Sequence, residues 1–361
     1  MKICHIMDSG GFYGKERVVM ELTAKQVDEG HYVQVICLGD KIPALAEKAM
    51  EIGIGRTHIW FMGFKAGFRW KDMKALKRVL NLISFDVVHV HGQKESIYAV
   101  LARWGIPLVR TVHGYTSNKK FSKAWFKNIL DRLLFSRHDA VVGVSDDMKK
   151  KYGVDQIIKN GISCREFKID SLNEKVVDFC KSAKVVLGCT ARYSPEKNLQ
   201  NLILAMTLLP EDYKLLLLGN GPLLPEIDRL IIDHRLETRI KQAGFVSNAF
   251  DYLSLVDIYL QPSYTEGTPI SVLEAMCAGK NIIMTEVGGM KYLLDEDVGR
   301  KCDTDPQSIA TAITLGLVDE EFKTHISRPN RAKAVFNKEY SIDSMCAKYL
   351  DLYTSFLIKP I

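Results

Sequence analysis

Short apolar runs alternate with longer amphipathic stretches along the whole chain. Segments 2–7, 32–38, 86–91, 107–112 and 140–144 are rich in Val and Ile and bounded by Gly, Asp or His, the pattern of strands buried on both faces of a parallel sheet. A further strand over 157–162 closes this series. After a polar stretch at 165–182 the pattern restarts at Val185 and continues with apolar runs at 213–218, 239–243, 258–260 and 281–284. The fold class is therefore α/β, with two doubly wound sheets covered by helices. The last segment opens with Ser341 as N-cap and spaces Ile342, Met345, Tyr349, Leu352, Tyr353 and Phe356 as one face of a helix. The repetition sets domains at 1–165 and 166–340, followed by a helix over about 341–361.

Length agrees with two domains, because 361 residues exceed the roughly 250–300 at which a single core stops growing. With 47% hydrophobic and 25% charged residues the composition is that of an ordinary soluble globular protein. No apolar run is long enough to span a membrane, and Met1-Lys2-Ile3-Cys4-His5 leads straight into a strand pattern rather than a signal peptide. The eight cysteines form no Cys-x-x-Cys pair and the histidines no zinc-ligand spacing, so the cysteines read as buried thiols in a reducing compartment, the cytoplasm. The net charge of +6 is unevenly spread. Residues 1–160 carry 26 basic against 16 acidic side chains, net +10, and residues 161–361 carry 23 against 27, net −4. A basic first half calls for an anionic partner: a membrane surface, nucleic acid or a phosphorylated substrate.

In open α/β sheets ligands bind beyond the carboxyl ends of the strands, so the residues following each apolar run carry the candidate chemistry. The richest stretch is 262–279. Thr268 suits an N-cap, Pro269 the first helical position and Gly279 the helix stop, so the backbone at Gly267, Thr268, Pro269 and Ile270 forms a helix start that attracts phosphate. Glu266 precedes this helix and Glu274 lies inside it, a separation along the axis that lets two carboxylates grip different hydroxyls of one nucleotide sugar. Arg192 and Lys197 follow a strand ending at Thr190, and together a guanidinium fork and an ammonium can neutralise a diphosphate leaving group. His89 and His91 alternate with Val88 and Val90 and read as core or supporting groups. The acidic triplets at 295–297 and 303–305 read as solvated surface rather than a metal site. Segments 118–135 and 61–71 mix lysines with large apolar residues, as at a membrane interface or on a packed helix with its lysines in water.

Glu266 and Glu274, with seven residues between them and Gly-Thr-Pro after the first, resemble the Glu-x7-Glu signature of family 4 retaining glycosyltransferases. The segment 191–198 resembles the family's diphosphate-binding Arg and Lys segment, and 218–223 its Gly-x-Gly-Pro turn. Gly244-Phe245-Val246 resembles its base-binding loop, and Gly14 the second glycine of its first loop, where Tyr13 replaces the first. The segments 86–91, 111–114, 160–162 and 287–289 match in the same order. Asn198 stands where the family usually has Gly, and Lys291-Tyr292 where it has Pro-Glu.

The resemblance implies the GT-B architecture, two Rossmann-like domains facing a cleft, with the final helix crossing back to the first. It implies retaining, metal-independent transfer from a UDP or GDP sugar to a glycan acceptor, with a lipid-linked glycan as one form, in cell-surface polysaccharide synthesis. His113, Arg192, Lys197 and Glu266 are its catalytic residues, with Glu266 at the donor sugar. Gly14, Gly219, Gly221, Val246, Gly267, Thr268, Pro269, Ile270 and Glu274 bind the donor, Glu274 at the ribose. It implies no cofactor, no metal and no nucleic acid, and the basic segment 118–135 adds peripheral attachment to an anionic inner membrane face. A nucleotide-sugar 2-epimerase of the same architecture, or a nucleotide-sugar binding protein without activity, is the alternative.

Overall fold

All strand pairings among the described residues are parallel, as the Val- and Ile-rich runs require of strands covered on both faces. The computed structural model describes residues 1–8, 14–40, 43–65, 67–103, 105–113, 123–246, 248–318 and 328–358. The chain divides into two units, Met1–Ser163 with Ser341–Ile361, and Cys164–Tyr340. Each has its own sheet and core, and the first is made of two separate pieces of sequence.

In the first unit, β1 (Lys2–Met7), β2 (Tyr32–Cys37), β3 (Ile59–Phe61), β4 (Val87–Val90), β5 (Leu108–Val112), β6 (Ala140–Gly143) and β7 (Gln156–Ile157) lie in the order β3-β2-β1-β4-β5-β6-β7. Every residue of β4 and β5 is buried. The second unit holds β8 (Val185–Thr190), β9 (Tyr213–Leu218), β10 (Ile240–Gly244), β11 (Ile258–Gln261), β12 (Asn281–Thr285) and β13 (Arg300–Cys302), ordered β10-β9-β8-β11-β12-β13. The winding reverses once in each sheet, between β1 and β4 and between β8 and β11. Loops leaving the two strands there diverge to opposite sides and open a crevice for a ligand.

Several sequence expectations are corrected. The strand expected over 157–162 ends at Ile157, and beyond it only an isolated bridge joins Ile162 to Ser341. Two edge strands, β3 and β13, have three residues each, too short for an alternating pattern to register. The polar stretch 165–182 contains a helix, Glu174–Lys181, whose N-cap Asn173 accepts from the Lys175 amide. Its apolar face, with Val176 and Cys180, packs on Val186 and Leu216.

Ser341 caps the terminal helix Ile342–Leu357 by accepting from the Ser344 amide, and Tyr349 and Tyr353 of that helix are buried in the first unit. Cysteine needs a larger correction. Cys164 and Cys277 form a disulfide that spans 113 residues, with Cα atoms 5.7 Å apart, while the other six cysteines are free and buried. The pairing brings together residues no local pattern relates, and it removes uniform thiols as an argument for a reducing compartment. Among the described residues no helix is long and apolar enough to cross a membrane.

Candidate functional site

The β8–β11 reversal brings the two most informative segments of the second unit together. After β8 the chain passes through Arg192, which is exposed, to a single turn at Pro195–Lys197. After β11 it reaches Glu266. Asn198, at φ 56°, ends the first turn in the left-handed conformation that Asn tolerates, and its side-chain amide donates to the carbonyls of Pro262 and Thr304 at 2.9 and 2.7 Å. This clamp ties the two loops together. Lys197 Nζ then lies 2.5 Å from Glu266 Oε1, with the carboxylate 8% and the lysine 20% exposed.

Glu266 Oε1 also accepts from Ser263 Oγ at 2.8 Å and Gln261 Nε2 at 2.9 Å. Gln261 is oriented in turn by Tyr259 and Ser271, whose hydroxyls donate to its Oε1 at 3.1 and 3.2 Å. Tyr259 and Gln261 share one face of β11 because alternate residues of a strand do. Gln261, Ser263 and Tyr259 were missed by the sequence reading. Neutral polar residues in a strand end carry no spacing signature, and only the strand's two-residue period places Tyr259 beside Gln261.

Backbone approaches explain the glycines. Gly219, at φ 129°, lies so close to the segment after β8 that a Cβ would sit 1.9 Å from the Ala191 carbonyl oxygen. Gly288, at φ 52°, leaves 1.7 Å between such a Cβ and the Glu266 carbonyl oxygen. The turn after β12 therefore backs the loop that aims Glu266. At Gly221 a Cβ would sit 2.4 Å from the Tyr193 carbonyl oxygen. Val246 packs beside Leu218 and Tyr252, while neighbouring Phe245 is exposed.

The helix after Glu266 spans Ile270–Cys277 and is capped by Pro269, whose carbonyl accepts from the amides of Val272 and Leu273. Thr268, expected as the N-cap, precedes it and is buried, and Gly267 is exposed. Proline's fixed φ and missing amide suit a cap as well as a first helical residue, which is why the start shifts by one position. Glu274 is buried one turn further in. Cys277, at the helix end, carries the disulfide to Cys164.

In the first unit His113 follows β5 directly and is half-buried. Its Nε2 lies 3.2 Å from His91 Nδ1, His91 Nε2 lies 3.0 Å from His5 Nδ1, and His5 Nε2 lies 2.8 Å from Gln26 Oε1. His89 instead bonds the Tyr353 hydroxyl and the Thr111 hydroxyl, each at 2.6 Å. His5, His89 and His91 offer ring nitrogens within 4.8 Å of one another, a spacing open to a metal ion. All six of their ring nitrogens are already engaged, however, so hydrogen bonding alone accounts for the cluster.

Beside these rings Asp8 is held by Lys94 at 2.8 Å and, through its backbone, by Lys15 and buried Glu95. Burial pushes the Glu95 carboxyl above its ordinary range. The sequence reading did not single out these four residues, although Asp8 and Glu95 stand just past β1 and β4. Gly14 is the exposed first residue of the helix Gly14–Asp28, and Tyr13 lies outside the described residues. Of the segment 118–135, residues 118–122 lie outside them too. In the helix Lys123–Leu133, Leu130 and Leu133 are exposed, whereas Asp131 is buried against Arg110 at 3.3 Å.

Sequence profiles of two families divide the chain between them. The one described as Glycosyltransferase Family 4 matches residues 13–166, and the one described as Glycosyl transferases group 1 matches residues 173–333. The chain is similar to the N-acetyl-alpha-D-glucosaminyl L-malate synthase of Bacillus anthracis, 26% identical over 75% of this chain and 74% of that protein. It is also 26% identical to the UDP-Gal:alpha-D-GlcNAc-diphosphoundecaprenol alpha-1,3-galactosyltransferase of Escherichia coli, over 78% of this chain and 80% of that one. Among solved structures, Anabaena HepE in complex with UDP and glucose superimposes with a TM-score of 0.82 at 19% identity, covering 98% of this chain and all of that one.

Proposed function

Because the chain belongs to glycosyltransferase family 4 and is a glycosyltransferase of the GT-B fold, we propose that it moves sugar from a UDP or GDP sugar to a glycan acceptor with retention at the anomeric carbon. The observation that carries this reading is the Lys197–Glu266 pair at the β8–β11 reversal, with Glu274 on the helix that follows. As the bond from sugar to diphosphate breaks, negative charge grows on the leaving phosphate. Arg192 and Lys197 supply positive charge there, the role a divalent ion fills elsewhere, so no metal is needed.

Glu266 Oε1 already accepts three hydrogen bonds, which makes that oxygen a poor nucleophile and fixes the carboxylate, so that Oε2 is the oxygen left to accept from a sugar hydroxyl. Front-face displacement fits this arrangement. The acceptor hydroxyl attacks the anomeric carbon on the side the diphosphate leaves, and its proton passes to a phosphate oxygen. A lipid-linked glycan at an anionic membrane surface is the acceptor we favour, supported by the +10 charge of residues 1–160 and by exposed Leu130 and Leu133. The HepE structure with UDP and the diphosphoundecaprenol-linked substrate of the E. coli relative support the donor and acceptor classes.

The test is the anomeric configuration of the first product. Proton NMR of an early time point is expected to show the donor's configuration, with rates unchanged by EDTA. An inverted product removes the retaining mechanism. The ribose assignment is checked separately: Glu274→Gln is expected to weaken UDP or GDP binding about tenfold in calorimetry, because an amide loses the charge-assisted acceptor. Wild-type affinity for the bare nucleotide in that variant would place Glu274 elsewhere.

A further inference from the structure

The string of rings ending at His113 runs across the carboxyl edge of three adjacent strands, from His5 on β1, to His91 just past β4, to His113 just past β5. It has a direction. Gln26 Oε1 can only accept, so His5 Nε2, 2.8 Å away, carries its proton. Burial lowers the His5 pKa to about 4, the ring is neutral at pH 7, and its Nδ1 holds a lone pair. His91 Nε2, 3.0 Å from that lone pair, must donate. Burial, then the neighbouring His89, His5 and His113 rings and Lys15, keep His91 neutral as well, so its Nδ1 accepts. His113 Nε2 is the donor to it at 3.2 Å. Burial, then Arg110 and Lys15, lower the His113 pKa to about 3.

We propose that Gln26, His5 and His91 are positioning residues that lock neutral His113 in its Nε2–H form and leave Nδ1 as the nitrogen able to accept from a substrate hydroxyl. Which nitrogen of an imidazole is protonated is set by what the other one meets, and here that condition is passed through two further rings to one buried amide. The inference rests on the placement of His113 in the active site. It adds a reason for His91, which the sequence alone suggests as a core or supporting group, and for His5, on which the sequence reading is silent.

Long-range ¹H–¹⁵N correlation spectra of the full chain labelled in its histidines are expected to show Nε2–H for His5, His91 and His113. Gln26→Met keeps the side-chain length and removes the acceptor. In it His113 is expected to populate both tautomers, with kcat about tenfold lower and donor KM unchanged, and Gln26→Glu is expected to restore both readouts. Nδ1–H at His113 in the wild-type protein overturns the proposal, and that spectrum decides even where Gln26→Met does not fold. A single unchanged tautomer in Gln26→Met overturns it too, as does unchanged kcat in a variant whose His113 has lost its preference. His113→Ala separates this outcome from the reading beneath it: wild-type transfer by that variant removes His113 from the active site, whatever the spectra show.

Discussion

Lys197→Ala is expected to lower kcat by about 10²–10³, the usual loss when a group that stabilises transition-state charge is removed, and Arg192→Ala to fall in the same range. The two act differently. Arg192 is exposed and free to close on a diphosphate, whereas Lys197 is held at 2.5 Å from Glu266 beneath the loop that Asn198 clamps. In Lys197→Ala the carboxylate keeps its bonds from Gln261 and Ser263, so Glu266 stays in place and the fold is retained. Steady-state kinetics with the cognate donor, alongside thermal unfolding, distinguish lost catalysis from lost structure. A folded Lys197→Ala protein with near-normal kcat would take the diphosphate role away from this residue.

Glu266→Gln is the second large effect, expected at about 10² in kcat/KM. One oxygen of Glu266 receives an ammonium, a hydroxyl and an amide. A glutamine can present its oxygen to them only as a neutral acceptor, or turn its own NH2 toward three donors. Either way the ion pair with Lys197 is lost, and the ammonium is held less firmly in its position. Calorimetry is expected to show nucleotide binding nearly intact and sugar-nucleotide binding weakened, because Glu266 is assigned to the sugar and Glu274 to the ribose. Equal weakening of both ligands would merge the two assignments.

The legible part of this molecule is the part with a local period. Runs such as Val185–Thr190 and Tyr213–Leu218 declare themselves as buried strands, and Ser341 with its apolar face declares the last helix. Glu266, Arg192 and Lys197 stand out as candidates because charged residues follow strand ends, and Glu274 by its spacing from Glu266 on the next helix. What escaped depends on three-dimensional neighbours. A three-residue edge strand such as Arg300–Cys302 has no period to read, and its register with Ile283–Thr285 supplies the pairing. Gln261 and Ser263 gain meaning only once Glu266 folds over them. Eighty-six residues separate His5 from His91, and 113 separate Cys164 from Cys277, distances over which one sequence gives no pairing signal.

The first unit closes with a helix that is synthesised after the whole of the second unit. Tyr353 and Tyr349 of the terminal helix bond His89 and Thr111, and both tyrosines are buried. While the ribosome is still adding those residues, the nascent first unit has its seven strands but lacks two phenols that fill and satisfy its interior. The second unit, made from one uninterrupted stretch, has every residue it needs before then. Domain maturation therefore runs against the order of translation: the unit begun first is completed after the second, once the helix Ile342–Leu357 has emerged, and a message interrupted before that helix yields an N-terminal fragment with an open, polar-lined core.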